Sequence, residues 1–132
     1  MANHLLAEKN RLAMTIEKLI PMLYTREMKE TLDFYVTVLG FTCNNYQPGD
    51  GWASLQIDDI EIMLALPNEH IPFERPIFTG SFYFKTNNVD ELWQKLRTGT
   101  KVCYELENFE YGMREFAIYD NNGYLLQFGQ EI

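Results

Sequence analysis

Apolar and polar residues alternate near the end of the chain, on both sides of an Asn122-Gly123 step. Alternation with a period of two is typical of strands with one buried face, and Asn-Gly is a frequent hairpin turn. Leu126 and Phe128 share the bulkier apolar face, which we expect to lie under a helix. Gln127 lies on the other face and is predicted to point into a cleft.

The same patterns predict two similar modules. Residues 19–66 read as strand, helix and three strands, and residues 80–132 repeat that order. The second helix carries a capping signature, Asn88 followed by Glu91. Proline-rich residues 67–79 read as a linker. The predicted fold is therefore α+β, with two tandem βαβββ modules forming a curved sheet around a cleft and helices on the outer face.

Residues 1–18 are predicted to be a short amphipathic helix or an arm that carries no evident chemistry. The segment has charges through its middle and lacks the apolar core of a signal peptide. No apolar run approaches the roughly 20 residues needed to span a bilayer. The sequence therefore favours a cytoplasmic protein without a membrane partner.

Charge narrows the classes of partner. The formal net charge is −8, from 19 acidic and 11 basic residues, which disfavours nucleic-acid binding because phosphate contacts need a basic surface. A neutral or cationic partner is more compatible. Two cysteines without a Cys-x-x-Cys motif make a disulfide framework or a structural zinc site improbable for this chain.

Strand alternation also predicts which side chains line the cleft. In the first module, Ile62, Leu64 and Leu66 form the helix-facing set. Arg114 and Glu115 read as a surface or interface pair, with Arg114 as an alternative anchor for an acidic ligand. The predicted lining is apolar and aromatic with a few polar groups, as in many ligand pockets: Met22, Tyr24, Met63, Tyr83 and Gln127 in the cleft, and Trp52, Phe109 and Tyr111 at its mouth.

Two stretches resemble a known superfamily. They are PMLYTREMKETLDFYVTVLGF, at the first strand and helix, and YGMREFAIYDNNGYLLQFGQ, at the last hairpin. Both are similar to the vicinal oxygen chelate superfamily, which includes glyoxalase I, bleomycin and fosfomycin resistance proteins and extradiol dioxygenases. The resemblance covers about residues 19–130, and it implies a homodimer with clefts at or near the subunit contact. It does not fix the reaction, since one fold hosts several chemistries.

The superfamily's metal enzymes place His, Gln or Glu ligands on equivalent strands of the two modules. By the resemblance, those positions fall near Ile20, Met63 and Ser81, and at Gln127. Such a set is poor for a divalent ion, because isoleucine cannot ligate, methionine prefers soft ions and one glutamine brings neither charge nor imidazole. We therefore expect no metal cofactor. The alternative is Zn, Ni, Mn or Fe held by Glu61 and Gln127.

Three functional hypotheses remain from the sequence. The leading one is metal-free sequestration of a small molecule in an aromatic-lined cleft, similar to the way bleomycin resistance proteins give antibiotic resistance by binding. The acidic net charge favours a cationic ligand. The second is a metal-dependent lyase, isomerase or dioxygenase of the same superfamily. The third is a dimerising module whose cleft is not occupied.

Overall fold

The chain forms two four-stranded mixed sheets, each carrying one helix, in a computed structural model that describes residues 16–47, 49 and 51–132. Most of the predicted arm at 1–18 lies outside these residues, and 16–21 have no regular secondary structure. The elements in chain order are β1 (Met22–Tyr24), α1 (Met28–Asp33), β2 (Thr42–Tyr46), β3 (Trp52–Ile57), β4 (Ile60–Ala65), β5 (Phe82–Lys85), α2 (Val89–Leu96), β6 (Lys101–Asn108), β7 (Met113–Tyr119) and β8 (Leu125–Glu131).

The two sheets have the same topology. Sheet 1 has the order β1-β4-β3-β2 and sheet 2 the order β5-β8-β7-β6. In each sheet the first strand of the module pairs in parallel with the last, and the other pairs are antiparallel. This repetition confirms the predicted α+β fold of two βαβββ modules.

Helix α1 ends in a π-helical turn, Phe34–Val38, in which the amide of Leu39 donates to the carbonyl of Phe34 at 3.1 Å. The wider turn carries two buried aromatic side chains, Phe34 and Tyr35. Tyr35 packs edge-on against Phe41, with ring centroids 5.5 Å apart. The π turn thus ends the helix with its aromatic side chains in the core.

The second helix begins at Val89, but the predicted capping box is wrong. Asn88 stands at the N-cap without a side-chain cap hydrogen bond. The amide of Val89 instead donates to the side-chain oxygen of Gln130 on β8, at 3.0 Å. A residue far along the chain therefore satisfies one of the free amides of this helix start.

One core spans both modules. Leu64 and Ile62 of sheet 1 are buried as predicted, whereas Leu66 is 41% exposed because β4 ends one residue before it. In sheet 2, the ring of Phe128 lies 5.0 Å from Phe84 and 5.1 Å from Phe116. These aromatic stacks confirm that the even-numbered face of β8 is the helix-facing one.

Polar contacts tie the first module to the β7–β8 turn. The hydroxyl of Tyr35 donates to Asp120 at 2.7 Å, and Asn121 donates to the hydroxyl of Thr31 at 2.9 Å. Asp120 also accepts from the backbone amides of 122–124. Because these groups are mostly buried, the contacts fix how the modules sit on each other.

Candidate functional site: the open faces of the two sheets

Each sheet has a helix-covered face and an opposite face, which we call its open face. On sheet 1, Met22 and Met63 are neighbours in register, and Met22 is 48% exposed. The indole N–H of Trp52 points at the sulfur of Met63, at 3.0 Å. Tyr24 packs edge-on against Phe73 of the linker, with centroids 5.7 Å apart. Around Met63 this open face is therefore apolar and adaptable, whereas Glu61, two residues earlier on β4, makes it polar toward Ser54.

The open face of sheet 2 is richer in hydroxyls. Tyr83 and Gln127 are neighbours in register on β5 and β8. The hydroxyl of Ser81 donates to the side-chain oxygen of Gln127, whose amide nitrogen donates to the hydroxyl of Tyr104 at 2.8 Å. Gln127 thus points to the open face, as alternation predicts.

Glu115 lies at the centre of this group, and its prediction as a surface residue is wrong. Its exposure is 1%. The hydroxyl of Tyr83 donates to Oε1 at 2.7 Å, and the hydroxyl of Tyr104 donates to Oε2. Strand pairing places Glu115 beside Gly129 on β8. Tyr83 comes from β5 and Tyr104 from β6, so groups of three other strands surround the carboxylate. A buried carboxylate is costly unless such hydrogen bonds satisfy it.

The two tyrosines remain hydrogen donors at neutral pH. Burial raises the pKa of Tyr83 and Tyr104 well above the ordinary value of a phenol, and the hydrogen bond to Glu115 raises it further. Burial and the same carboxylate also raise the pKa of Tyr111. Neutral hydroxyls therefore face Glu115 across the whole physiological pH range.

Gly129 makes room for this arrangement. A Cβ atom added to Gly129 would lie 1.9 Å from the hydroxyl oxygen of Tyr83, which no real contact allows. The Tyr83 side chain crosses the bare backbone of β8 at this point and reaches Glu115 on β7. Glycine inside a strand often marks such a close approach, so the sequence did contain a signal for it.

Aromatic rings extend the surface beside the carboxylate. Phe109 packs edge-on against Tyr104, with centroids 5.6 Å apart, and stacks on Tyr111 at 5.4 Å with 10° between planes. Tyr111 is 64% exposed. The two rings therefore offer a flat surface at the rim of sheet 2's open face.

The predicted lining residues fall into two groups. Within the described part of the chain, no side-chain hydrogen bond or aromatic contact joins the sheet 1 group to the sheet 2 group. The groups are Met22, Tyr24, Trp52 and Met63 on sheet 1, and Tyr83, Phe109, Tyr111 and Gln127 on or beside sheet 2. The predicted lining residues therefore lie on two separate faces of the described chain, one on each sheet.

Arg114, next to Glu115, points elsewhere. Its guanidinium pairs with Asp90 at the start of α2, at 2.9 Å. This pair lies on the helix side of sheet 2, away from the tyrosines. Alternation along β7 therefore separates the positive charge of Arg114 from the negative charge of Glu115.

The residues at the inferred metal positions do not fit a divalent ion. Gln127 is engaged with Ser81 and Tyr104, and Met63 with Trp52. The alternative ligand Glu61 pairs with Lys18 at 2.8 Å, which lowers the pKa of that carboxyl. Over 16–47, 49 and 51–132, no three His, Cys, Asp or Glu side chains are grouped to hold an ion.

A further concavity of about 440 Å³ lies between the modules, next to α2 and the β3–β4 turn. Its lining includes the apolar side chains of Phe41, Phe84 and Leu96. Its charged lining residues are all exposed: Asp58, Lys85, Glu91 and Lys95. It contains no buried polar group comparable with Glu115. The open faces therefore remain the better candidate for oriented binding.

Two βαβββ modules with the same sheet order define the class of fold, and comparison with known proteins assigns the family. The family model for the Glyoxalase/Bleomycin resistance protein/Dioxygenase superfamily matches residues 14–128. The chain therefore belongs to this superfamily. A comparison with curated proteins gives no match. Among the described residues, no helix is long and apolar enough to cross a membrane.

Solved structures with the same fold include proteins of different function. TnmS3, an antibiotic binding protein from Streptomyces sp. CB03234, is 22% identical with a TM-score of 0.71, covering 91% of this chain and 100% of its own. TioX from Micromonospora sp. ML1 is 19% identical with a TM-score of 0.71, covering 89% and 100%. A lactoylglutathione lyase from Agrobacterium tumefaciens is 19% identical with a TM-score of 0.69, covering 89% and 96%. At these identities the likeness shows the fold.

Proposed function

We propose that this protein binds a small organic molecule on its open faces without a catalytic metal, and acts by sequestration. The observation that carries the proposal is the hydroxyl and aromatic cluster around Glu115. Such a surface combines apolar contact with a few fixed polar groups, which is the usual composition of a ligand site. The residues at the superfamily's metal positions do not form a competent ligand set.

The available contacts are sufficient for useful affinity. An aromatic pair contributes about 0.5–1.5 kcal/mol beyond its burial. The rings of Tyr104, Phe109 and Tyr111 contact one another in series, and the Tyr83 hydroxyl shares the Glu115 carboxylate with Tyr104. Their stacking and the apolar area that they bury support micromolar binding, which corresponds to about 8 kcal/mol.

The site we propose is completed in a homodimer. Among the described residues, no side-chain hydrogen bond or aromatic contact joins the predicted lining residues of the two open faces, and both faces expose large apolar side chains, such as Met22 and Tyr83. A second copy that brings its sheet 1 against sheet 2 would enclose the ligand between them. The superfamily membership supports this arrangement, because the resemblance implies a homodimer with clefts at or near the subunit contact.

A ligand screen with two variants tests the proposal. Thermal shift measurements with a library of planar aromatic compounds, including antibiotics, should give hits for the wild type in the presence of EDTA. Trp52→Ala and Tyr83→Ala should weaken those hits at least tenfold while both proteins stay folded. Phe78→Ala is the control, because Phe78 is an exposed aromatic of the linker.

Two results would contradict this function. Hits that disappear with EDTA and return with Zn, Ni, Mn or Fe(II) would favour the metal-dependent enzyme. Equal affinity of the wild type, Trp52→Ala and Tyr83→Ala for every hit would remove the open faces from the site.

A further inference from the structure

On the open face of sheet 2, the hydroxyl hydrogens of Tyr83 and Tyr104 are used in hydrogen bonds to the buried Glu115. A tyrosine hydroxyl has one hydrogen to donate. Tyr83 gives its hydrogen to Oε1 of Glu115, and Tyr104 gives its hydrogen to Oε2. Both side-chain oxygens of Glu115 accept in this arrangement, so both hydroxyls are held in this direction. The oxygen of Tyr83, a residue 41% exposed, can therefore only accept from a third group.

The hydroxyl of Ser81 likewise presents an acceptor and not a donor to a ligand. Its hydroxyl hydrogen goes to the side-chain oxygen of Gln127, so its exposed oxygen presents lone pairs. The amide nitrogen of Gln127 uses one hydrogen on Tyr104 and keeps one more. On the open face of sheet 2, hydrogen-bond acceptors therefore outnumber the donors that remain free for a ligand.

The charge of the surface is also negative. Lys85, on the same face of β5, is paired with Glu131 at 2.7 Å. Within the described residues, Glu115 has hydrogen-bond donors but no ion-pair partner. Beside it, the stacked rings of Phe109 and Tyr111 present faces of the kind that attract cations.

We infer that the sheet 2 open face selects an aromatic ligand carrying a protonated amine. The N–H groups of the ammonium donate to Tyr83 and Ser81 above the Glu115 carboxylate, and the ring packs on Phe109 and Tyr111. This inference rests on the proposed binding function and specifies the class of ligand. A quaternary ammonium has the positive charge but no N–H donors. A carboxylate has neither the positive charge nor a hydrogen-bond donor.

Four probes of similar shape separate these requirements. They are 1-naphthylmethylammonium, its N,N,N-trimethyl analogue, 1-naphthylmethanol and 1-naphthoate, titrated into the full chain at neutral pH with EDTA. The wild type should bind the primary ammonium at least about tenfold more tightly than the trimethyl analogue and the alcohol, and should bind 1-naphthoate most weakly. Equal affinities, or tightest binding of 1-naphthoate, would overturn the inference.

Glu115→Gln reverses the direction of a hydrogen bond between residue 115 and one of its tyrosine partners. The new amide N–H donates to a tyrosine oxygen, so that tyrosine turns its own hydrogen outward. The primary ammonium should then lose at least about tenfold in affinity relative to the wild type, and 1-naphthoate should gain. Glu30→Gln is the matched control, since Glu30 is an exposed residue of α1 and the change in net charge is the same.

A second variant keeps the test decisive if Glu115→Gln does not fold. Tyr83→Phe removes one of the two exposed acceptors and leaves Ser81 and the carboxylate in place, and it should reduce the preference for the primary ammonium over its trimethyl analogue. A preference in Tyr83→Phe as large as in the wild type would refute the inference. If no probe binds to the wild type while the library screen gives hits sensitive to Tyr83→Ala, the ligand class is wrong but the binding function stands.

Discussion

The hydrogen bond from Tyr35 to Asp120 should be a main link between the two modules. Tyr35→Phe removes only the hydroxyl, which donates to Oδ2 at 2.7 Å across the module boundary. Tyr35 is 1% exposed and Asp120 is 6% exposed, so water does not readily replace the lost donor. Burial raises the pKa of Tyr35 well above its ordinary value, which keeps the hydroxyl protonated.

The expected loss of stability follows from this geometry. A hydrogen bond to a charged group contributes about 1.5–3 kcal/mol, and an unpaired buried oxygen adds its own penalty. Asp120 keeps three backbone N–H donors on Oδ1, so the carboxylate cannot rotate to satisfy Oδ2 without breaking them. We expect Tyr35→Phe to lower the free energy of unfolding by about 2 kcal/mol and the melting temperature by about 7 °C.

Urea unfolding followed by tryptophan fluorescence measures this loss, at one fixed protein concentration because any dimer makes stability concentration-dependent. Tyr46→Phe is the control, because Tyr46 is half-buried and its hydroxyl makes no hydrogen bond to another described residue. The control should change by less than about 0.5 kcal/mol. A loss below about 0.5 kcal/mol for Tyr35→Phe itself would refute the reasoning.

Two further predictions concern Gly129 and Asp120. Gly129→Ala should push Tyr83 off Glu115, so that ultraviolet titration shows one more tyrosine ionising near its ordinary pKa of about 10; an unchanged titration would contradict the packing. Burial is the largest influence on Asp120 and raises its pKa above the ordinary 3.8, although its hydrogen bonds oppose this. Since a raised folded pKa gives stability that is complete below the unfolded pKa and lost as pH rises, the advantage of the wild type over Asp120→Asn should widen as pH falls from 7 to about 4 in urea unfolding. A narrowing advantage would show a depressed pKa.

Local periodicity was enough to predict the strands and their faces. Alternation placed Gln127 on one face of β8 and Phe128 on the other, and the structure agrees because one face of each sheet packs under a helix. The order of elements in both modules follows from the same patterns. These are short-range features, which a single sequence carries.

The environment of Glu115 was not predictable in the same way. Its hydrogen-bond partners lie 32 and 11 residues away, and Gly129 provides the space that lets Tyr83 reach it. Alternation puts Glu115 on the same face as Gln127, so that signal was present. Nothing local shows that side chains from two other strands bury the carboxylate. Similarly, Gln130 replaces the expected cap at Val89 only because β8 passes that helix start.

Metal analysis tests the central claim, that the open faces bind without a metal. Tag-free protein purified without chelators should be analysed for transition metals, before and after dialysis against Zn, Ni, Mn and Fe(II). We expect far less than one metal per chain in both states, because Ile20, Met63, Ser81 and Gln127 do not form a competent ligand set. Near-stoichiometric metal in either state would contradict the account and favour a metal-dependent enzyme of the superfamily.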